Sequence, residues 1–204
     1  MDDQIVDNVQ RLYDTSVELY NKVVRNKADG IIDDLDNSIK ILSDSWKGAD
    51  AGVQINNVVD VFNSMLSIRN ALAQLAKGAQ GVAADYRDIQ LANRADHMDS
   101  LELINIAESK PAKEEYVDTA DTININNDVL QGKVLLDKVN NLYDEFKSSV
   151  ESYYNEIMGN WRAGDGRDVA ENEFKEFITN SKRYKTILED VSNSISEAIK
   201  NYQR

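Results

Sequence analysis

The side chains that most often do chemistry are nearly absent from this chain, which has one histidine and no cysteine. A Ser-His-Asp or Cys-His arrangement would have to be built on His97. His97 stands in a polar stretch where an exposed, idle histidine is the simpler reading. Di-iron helical bundles need Glu-x-x-His pairs projecting from their helices, and the sequence contains none. "GDGRD" at 164–168 has the glycines of an anion-binding turn at a helix N-terminus. No strand is expected before it, no lysine follows at P-loop spacing, and its aspartates repel phosphate, so it reads as a capping turn. Those aspartates also lack the alternating spacing and closing glutamate of a calcium loop. Phe146, Tyr153, Tyr154, Phe174, Phe177 and Tyr184 fall mostly at helical spacing and read as core, not as a ligand box. No catalytic residue, metal ligand or cofactor is therefore expected, and the protein is expected not to be an enzyme.

Composition narrows the fold. The 204 residues are 42% apolar, enough for one ordinary domain or two small ones. A single proline and nine glycines leave little turn chemistry, so the elements must be few and long, and the Ala, Leu, Glu and Lys between them favour helices. A net charge of −13 repels nucleic-acid phosphate and anionic lipid. No stretch approaches the roughly 18 apolar residues of a membrane span, so neither nucleic-acid binding nor stable membrane insertion is expected. The opening "MDDQIVDNVQ" is acidic where a secretory leader would be basic and then apolar, so any export is expected to proceed without a classical signal peptide.

Apolar residues at Ile5, Val9, Leu12, Leu19, Val23, Ile31, Leu35, Ile39, Leu42 and Trp46 keep one face of a helix over about 3–46, which "NKADG" at 26–30 could bend. After "KGADAG", with Asp50 as N-cap, Val53, Val58, Phe62, Met65, Leu72, Leu75, Ala79, Val82, Tyr86 and Ile89 predict a second helix over about 50–93. Its small-residue centre, "NALAQLAKGAQGVAADY", predicts a closely approaching neighbour. Residues 94–127 lose periodicity and read as a linker, with room for a short helix near Ser100 to Ala107. Leu130, Val134, Leu135, Val139, Leu142, Phe146, Val150, Tyr153, Tyr154 and Ile157 predict a third helix ending near Trp161. A fourth follows, capped by Asp165 or Asp168. Acidic runs such as Asp33-Asp34-Leu35-Asp36 read as a solvated helix face.

The two tryptophans reveal a repeat. Eleven, seven and four residues before Trp46 stand Leu35, Ile39 and Leu42; the same offsets before Trp161 hold Val150, Tyr154 and Ile157. Two tandem helix-turn-helix hairpins, residues 1–93 and 128–204, are therefore expected. A lone two-helix hairpin leaves apolar surface wet, so the expected fold is all-α, an elongated antiparallel four-helix bundle in which each hairpin covers the other.

Trp46-Lys47-Gly48 between two long amphipathic helices, with the looser Trp161-Arg162-Ala163-Gly164 in the second half, resembles the WXG superfamily of early-secreted-antigen-like hairpins of type VII secretion in Gram-positive bacteria. The resemblance covers most of the chain outside the linker. It implies a non-enzymatic secreted small protein, or a partner or targeting factor for a larger effector. The two hairpins would act as a pseudo-dimer fused into one chain, which is either a monomer or a homodimer. Its recognition residues would be Trp46, Gly48, Trp161, Gly164 and Tyr86, the tryptophans serving either as buried hairpin anchors or as exposed knobs. Two departures accompany it: one extra residue lies between Trp161 and Gly164, and the family's export signal, a tyrosine followed four residues later by an acidic residue, is missing, since Tyr86 is followed at that distance by Gln90. A cytosolic structural or regulatory adaptor is the competing expectation.

Overall fold

A computed structural model of the chain describes residues 5–6, 8–92, 103–120, 123–163 and 165–202. The described chain is mostly helical. A short strand β1 (Ile5–Val6) precedes α1 (Val9–Glu18), a π-helical stretch (Leu19–Ala28) and α2 (Asp29–Ser45), which together form the first predicted helix. Strand β2 (Trp46–Lys47) leads into α3 (Ala49–Ala92). Strand β3 (Asn124–Ile125) precedes α4 (Val129–Asn160), and β4 (Trp161–Ala163) precedes α5 (Asp165–Tyr202). Among the described residues no helix is long and apolar enough to cross a membrane.

Helix boundaries follow local chemistry. Asn8 caps α1, its side chain accepting from Arg11 N–H, and thereby starts the helix later than the apolar stripe alone implied. Gly48, not Asp50, stands immediately before α3, its carbonyl accepting from Gly52 N–H at 3.1 Å. Asp50 lies in the first turn, where its charge complements the helix dipole. Residues 103–107 carry no helix; the rest of the short helix considered near Ser100 falls outside the described residues, as does His97.

The chain forms two compact units, and neither is one of the halves 1–93 and 128–204. The first comprises Met1–Lys27, Ile68–Ser109 and Phe146–Ile178; the second comprises Ala28–Ser67, Lys110–Glu145 and Thr179–Arg204. In the first unit the core includes Leu12, Leu19, Val23, Leu72, Ala76, Ala79, Ala83, Phe146, Val150, Ile157 and Trp161. Phe146 meets Phe177 edge to face at 5.7 Å, and Tyr154 stacks on Phe174 at 3.6 Å. In the second unit the core includes Leu35, Leu42, Trp46, Ile55, Phe62, Met65, Leu136, Val139, Leu188, Val191 and Ile195.

Four expected core positions are corrected. Val53, Leu130, Val134 and Leu142 are 60%, 45%, 64% and 40% exposed. On α4 the buried stripe is Val129, Leu136, Val139, Tyr143, Phe146, Val150, Tyr154 and Ile157. Leu130, Val134 and Leu142 are each one position off that phase, and a run as apolar as "VLLDKVNNLYDEF" supports two neighbouring phases on periodicity alone.

Candidate functional site

The tryptophan turns are the first candidates. Trp46 is 3% exposed and Trp161 is 2% exposed, so both are buried anchors. In the second unit β2 pairs antiparallel with β3, Trp46 opposite Ile125 and Lys47 opposite Asn124. Asn126 N–H adds a bond of 3.0 Å to the Ser45 carbonyl. In the first unit β4 pairs antiparallel with β1, Val6 opposite Trp161 and Ile5 opposite Ala163. Each turn is thus bound to the residues that precede the first helix of the other half. Trp161 also lies over α3, its Cη2 3.8 Å from where a Cβ on Gly78 would stand. At Gly78 the neighbour is this side chain, not a backbone, and a Cβ on Gly81 would meet nothing within 4 Å.

Gly48 has a structural reason to be glycine. Its φ is +115°, and a Cβ there would stand 3.1 Å from Ile123 Cγ1. Its N–H donates to the Asp118 carboxylate, which also accepts from Ala120 N–H at 2.9 Å. The Ala120 and then the Gly48 N–H groups hold the Asp118 carboxyl below its usual range. Gly164 lies outside the described residues. Arg167 Nε donates to the Trp161 carbonyl at 3.0 Å and steadies the second turn. Tyr86 is half-buried on α3 in the first unit, and no described contact joins it to either turn.

Sequence reasoning missed the second candidate, the connection between α3 and α4. Its residues 103–120 run without secondary structure of their own, yet backbone groups of Ile104, Asn105, Ala107, Lys113 and Tyr116 are met by side chains. In the second unit Asn56 makes a two-way clamp on Tyr116: its Nδ2 donates to the Tyr116 carbonyl at 3.0 Å, and its Oδ1 accepts from Tyr116 N–H at 2.7 Å. Asn63 does the same at Lys113, with both bonds at 2.9 Å. In the first unit Tyr20 Oη donates to the Asn105 carbonyl at 2.9 Å and accepts from Ala107 N–H at 2.7 Å, while Gln80 Oε1 accepts from Ile104 N–H at 2.6 Å.

Charge fixes the same segment. Asp36, expected on a solvated face, is 6% exposed. It accepts from Lys110 at 2.8 Å, Lys113 at 2.7 Å and Lys40 at 2.8 Å, and Lys110 also reaches Asp33 at 2.8 Å. Burial disfavours the Asp36 carboxylate, but the ammonium groups of Lys110, Lys113 and Lys40 outweigh it and hold the carboxyl far below its ordinary range. Asp33 and Asp36 in turn raise Lys110. Tyr116 receives a bond from Lys47 Nζ at 3.2 Å, and the Lys113 ammonium lies 5.4 Å from the Phe62 ring centroid. All three residues of Trp46-Lys47-Gly48 are therefore engaged: the first by burial, the second by Tyr116, the third by Asp118. The signal that could have exposed the clamp is the recurrence of asparagine seven residues apart, Asn56 and Asn63, on one face of α3.

Among the described residues no group of His, Cys, Asp or Glu is arranged to hold a metal ion. A groove of about 380 Å³ in the second unit is lined by Trp46, Gly48, Val53, Ile123, Glu197 and Asn201 among others. The arrangement is one of surfaces, turns and a bound strap. Compared with known proteins, the chain matches no family model, no curated protein and no solved structure.

Proposed function

We propose that the chain is a two-copy, single-chain member of the WXG, early-secreted-antigen-like superfamily, a non-enzymatic helical protein of type VII secretion. In this reading residues 1–93 and 128–204 are two hairpins that pair as a fused pseudo-dimer in an antiparallel four-helix bundle. The protein then works through its surface, as a small exported substrate or as the partner that presents a larger effector.

The observation that carries the proposal is the reciprocal strand pairing. Val6, before the first helix, lies opposite Trp161, and Ile125, before α4, lies opposite Trp46. An exchange of the same elements between two halves is what a symmetric dimer of hairpins does between two chains. The conformation of Gly48 supports the reading further, since it accounts for the glycine of the three-residue motif.

The test is export. In a Gram-positive host carrying a type VII system, the protein is expected in the culture supernatant, alone or with a co-expressed effector, only while the system's ATPase is intact. Retention in the cytosol of both the intact and the ATPase-deleted strain, with and without neighbouring genes, would replace this reading with that of a cytosolic adaptor. The absence of the tyrosine-acidic export signal makes dependence on a co-exported partner the expected result.

A further inference from the structure

Helix connections in bundles commonly need two to eight residues. Here 36 residues lie between Ala92 and Val129, far more than a turn requires, and the described part is read along its backbone. The two asparagine clamps define a register. Seven residues of α-helix advance about 10.5 Å, and three residues of a polyproline-II-like chain advance about 9.3 Å. Asn56 and Asn63 are seven apart and hold Tyr116 and Lys113, three apart and in reverse order, so the segment runs antiparallel to α3. From Lys110 onward burial has the same period: Lys110, Lys113 and Tyr116 are part-shielded, while Pro111, Ala112, Glu114 and Glu115 between them, and Val117 after them, are exposed. Three residues per turn is the period of an extended left-handed chain, and Pro111 suits it.

The second unit thus contains a groove with the features of an extended-peptide site. Side-chain amides on α3 read one backbone N–H and C=O every third residue, which fixes register for any sequence. The carboxylates of Asp33 and Asp36 on α2 select lysine at two successive inward positions. Lys47 meets a tyrosine hydroxyl at the third.

We propose that this face, formed by Asp33, Asp36, Lys47, Asn56 and Asn63, is a docking groove for an extended segment of a protein partner bearing Lys-x-x-Lys-x-x-Tyr. The chain's own residues 110–116 are a tethered occupant that such a segment displaces. A tethered segment competes at millimolar effective concentration, so the intact chain binds the partner weakly and releases it readily unless the strap is withdrawn. The inference stands on contacts within one unit and holds whether or not the protein is exported.

A fluorescent peptide of residues 108–120, ESKPAKEEYVDTA, is the probe. It is titrated into the intact protein and into the full-length variant Lys110→Ala, Lys113→Ala, Tyr116→Ala, whose own strap keeps its backbone bonds to Asn56 and Asn63 but has lost the side-chain anchors that hold it against a competitor. The vacated variant is expected to bind the peptide at least about tenfold more tightly than the intact chain does. Adding Asn56→Ala with Asn63→Ala, or Asp36→Asn, is expected to abolish the difference, and a scrambled peptide is expected not to bind. Failure of a folded vacated variant to bind, equal binding by the intact chain, or indifference to the asparagines and Asp36 would each reduce the contacts to a tie-down of the linker. If the triple variant does not fold, hydrogen exchange on the intact protein decides. Saturating peptide must speed exchange of the chain's own Lys113 and Tyr116 amides, and unchanged protection overturns the proposal.

Discussion

At the scale of single residues, the glycine of the Trp-x-Gly motif is set by backbone geometry. Gly48→Ala forces a Cβ against Ile123 at a φ of +115° and is expected to cost about 1–3 kcal/mol. Gly81→Ala, inside α3 with nothing within 4 Å of the new methyl, is expected to stabilise by about 0.5–1 kcal/mol. Paired urea titrations read both, and equal effects would remove the special role of Gly48. Asp36 supplies a pH dependence of definite sign. Its carboxyl is depressed in the folded state, so its contribution is fully present above the unfolded value near pH 4 and is lost as pH falls toward the folded one. Asp36→Asn is expected to cost about 1–3 kcal/mol at pH 7, with the gap to the unsubstituted protein closing progressively below about pH 4. A gap that stayed constant from pH 7 to pH 2 would show that the lysines do not act through charge. Neither feature could be read from residue type: Asp36 sits in an acidic run like any on a solvated helix, and only Lys110 and Lys113, more than seventy positions away, bury it.

At the scale of elements, periodicity found the long helical spans among the described residues because each carries its own apolar stripe. Leu35, Ile39 and Leu42 and their counterparts Val150, Tyr154 and Ile157 are all buried, as the repeat required. Phase was less legible where α4 offered two adjacent stripes, and Tyr143 took the core position in place of Leu142. The π-helical stretch at Leu19–Ala28 was not legible at all. The tryptophans join element to element, and Trp161→Ala is expected to cost about 3–5 kcal/mol, the range for large buried aromatics. A loss below 1 kcal/mol in thermal or chemical unfolding would contradict its burial against α3.

At the scale of the whole chain, the interleaving of the two units has a direct consequence. Each unit takes segments from both halves, so residues 1–93 expressed alone lack partners for the faces of both units. That fragment is expected to show little cooperative unfolding by circular dichroism, and co-expression with 94–204 is expected to restore it. A sharp, independent transition for 1–93 alone would show that the hairpin is self-sufficient. If the reciprocal pairing stays within one chain, light scattering should give a monomer of about 23 kDa; a dimer would place the exchange between chains.

The largely helical content and the approximate helix spans were determined by the sequence alone, because stripe periodicity and residue inventory are local properties; the tryptophans' burial was not. Tertiary structure alone decided which half completes which turn, why the motif's third residue is glycine, and that the described part of the apparent linker is an irregular segment held by specific side chains. Those depend on hydrogen bonds and ion pairs between residues 24 to 158 positions apart, whose distance in the chain leaves no periodic trace.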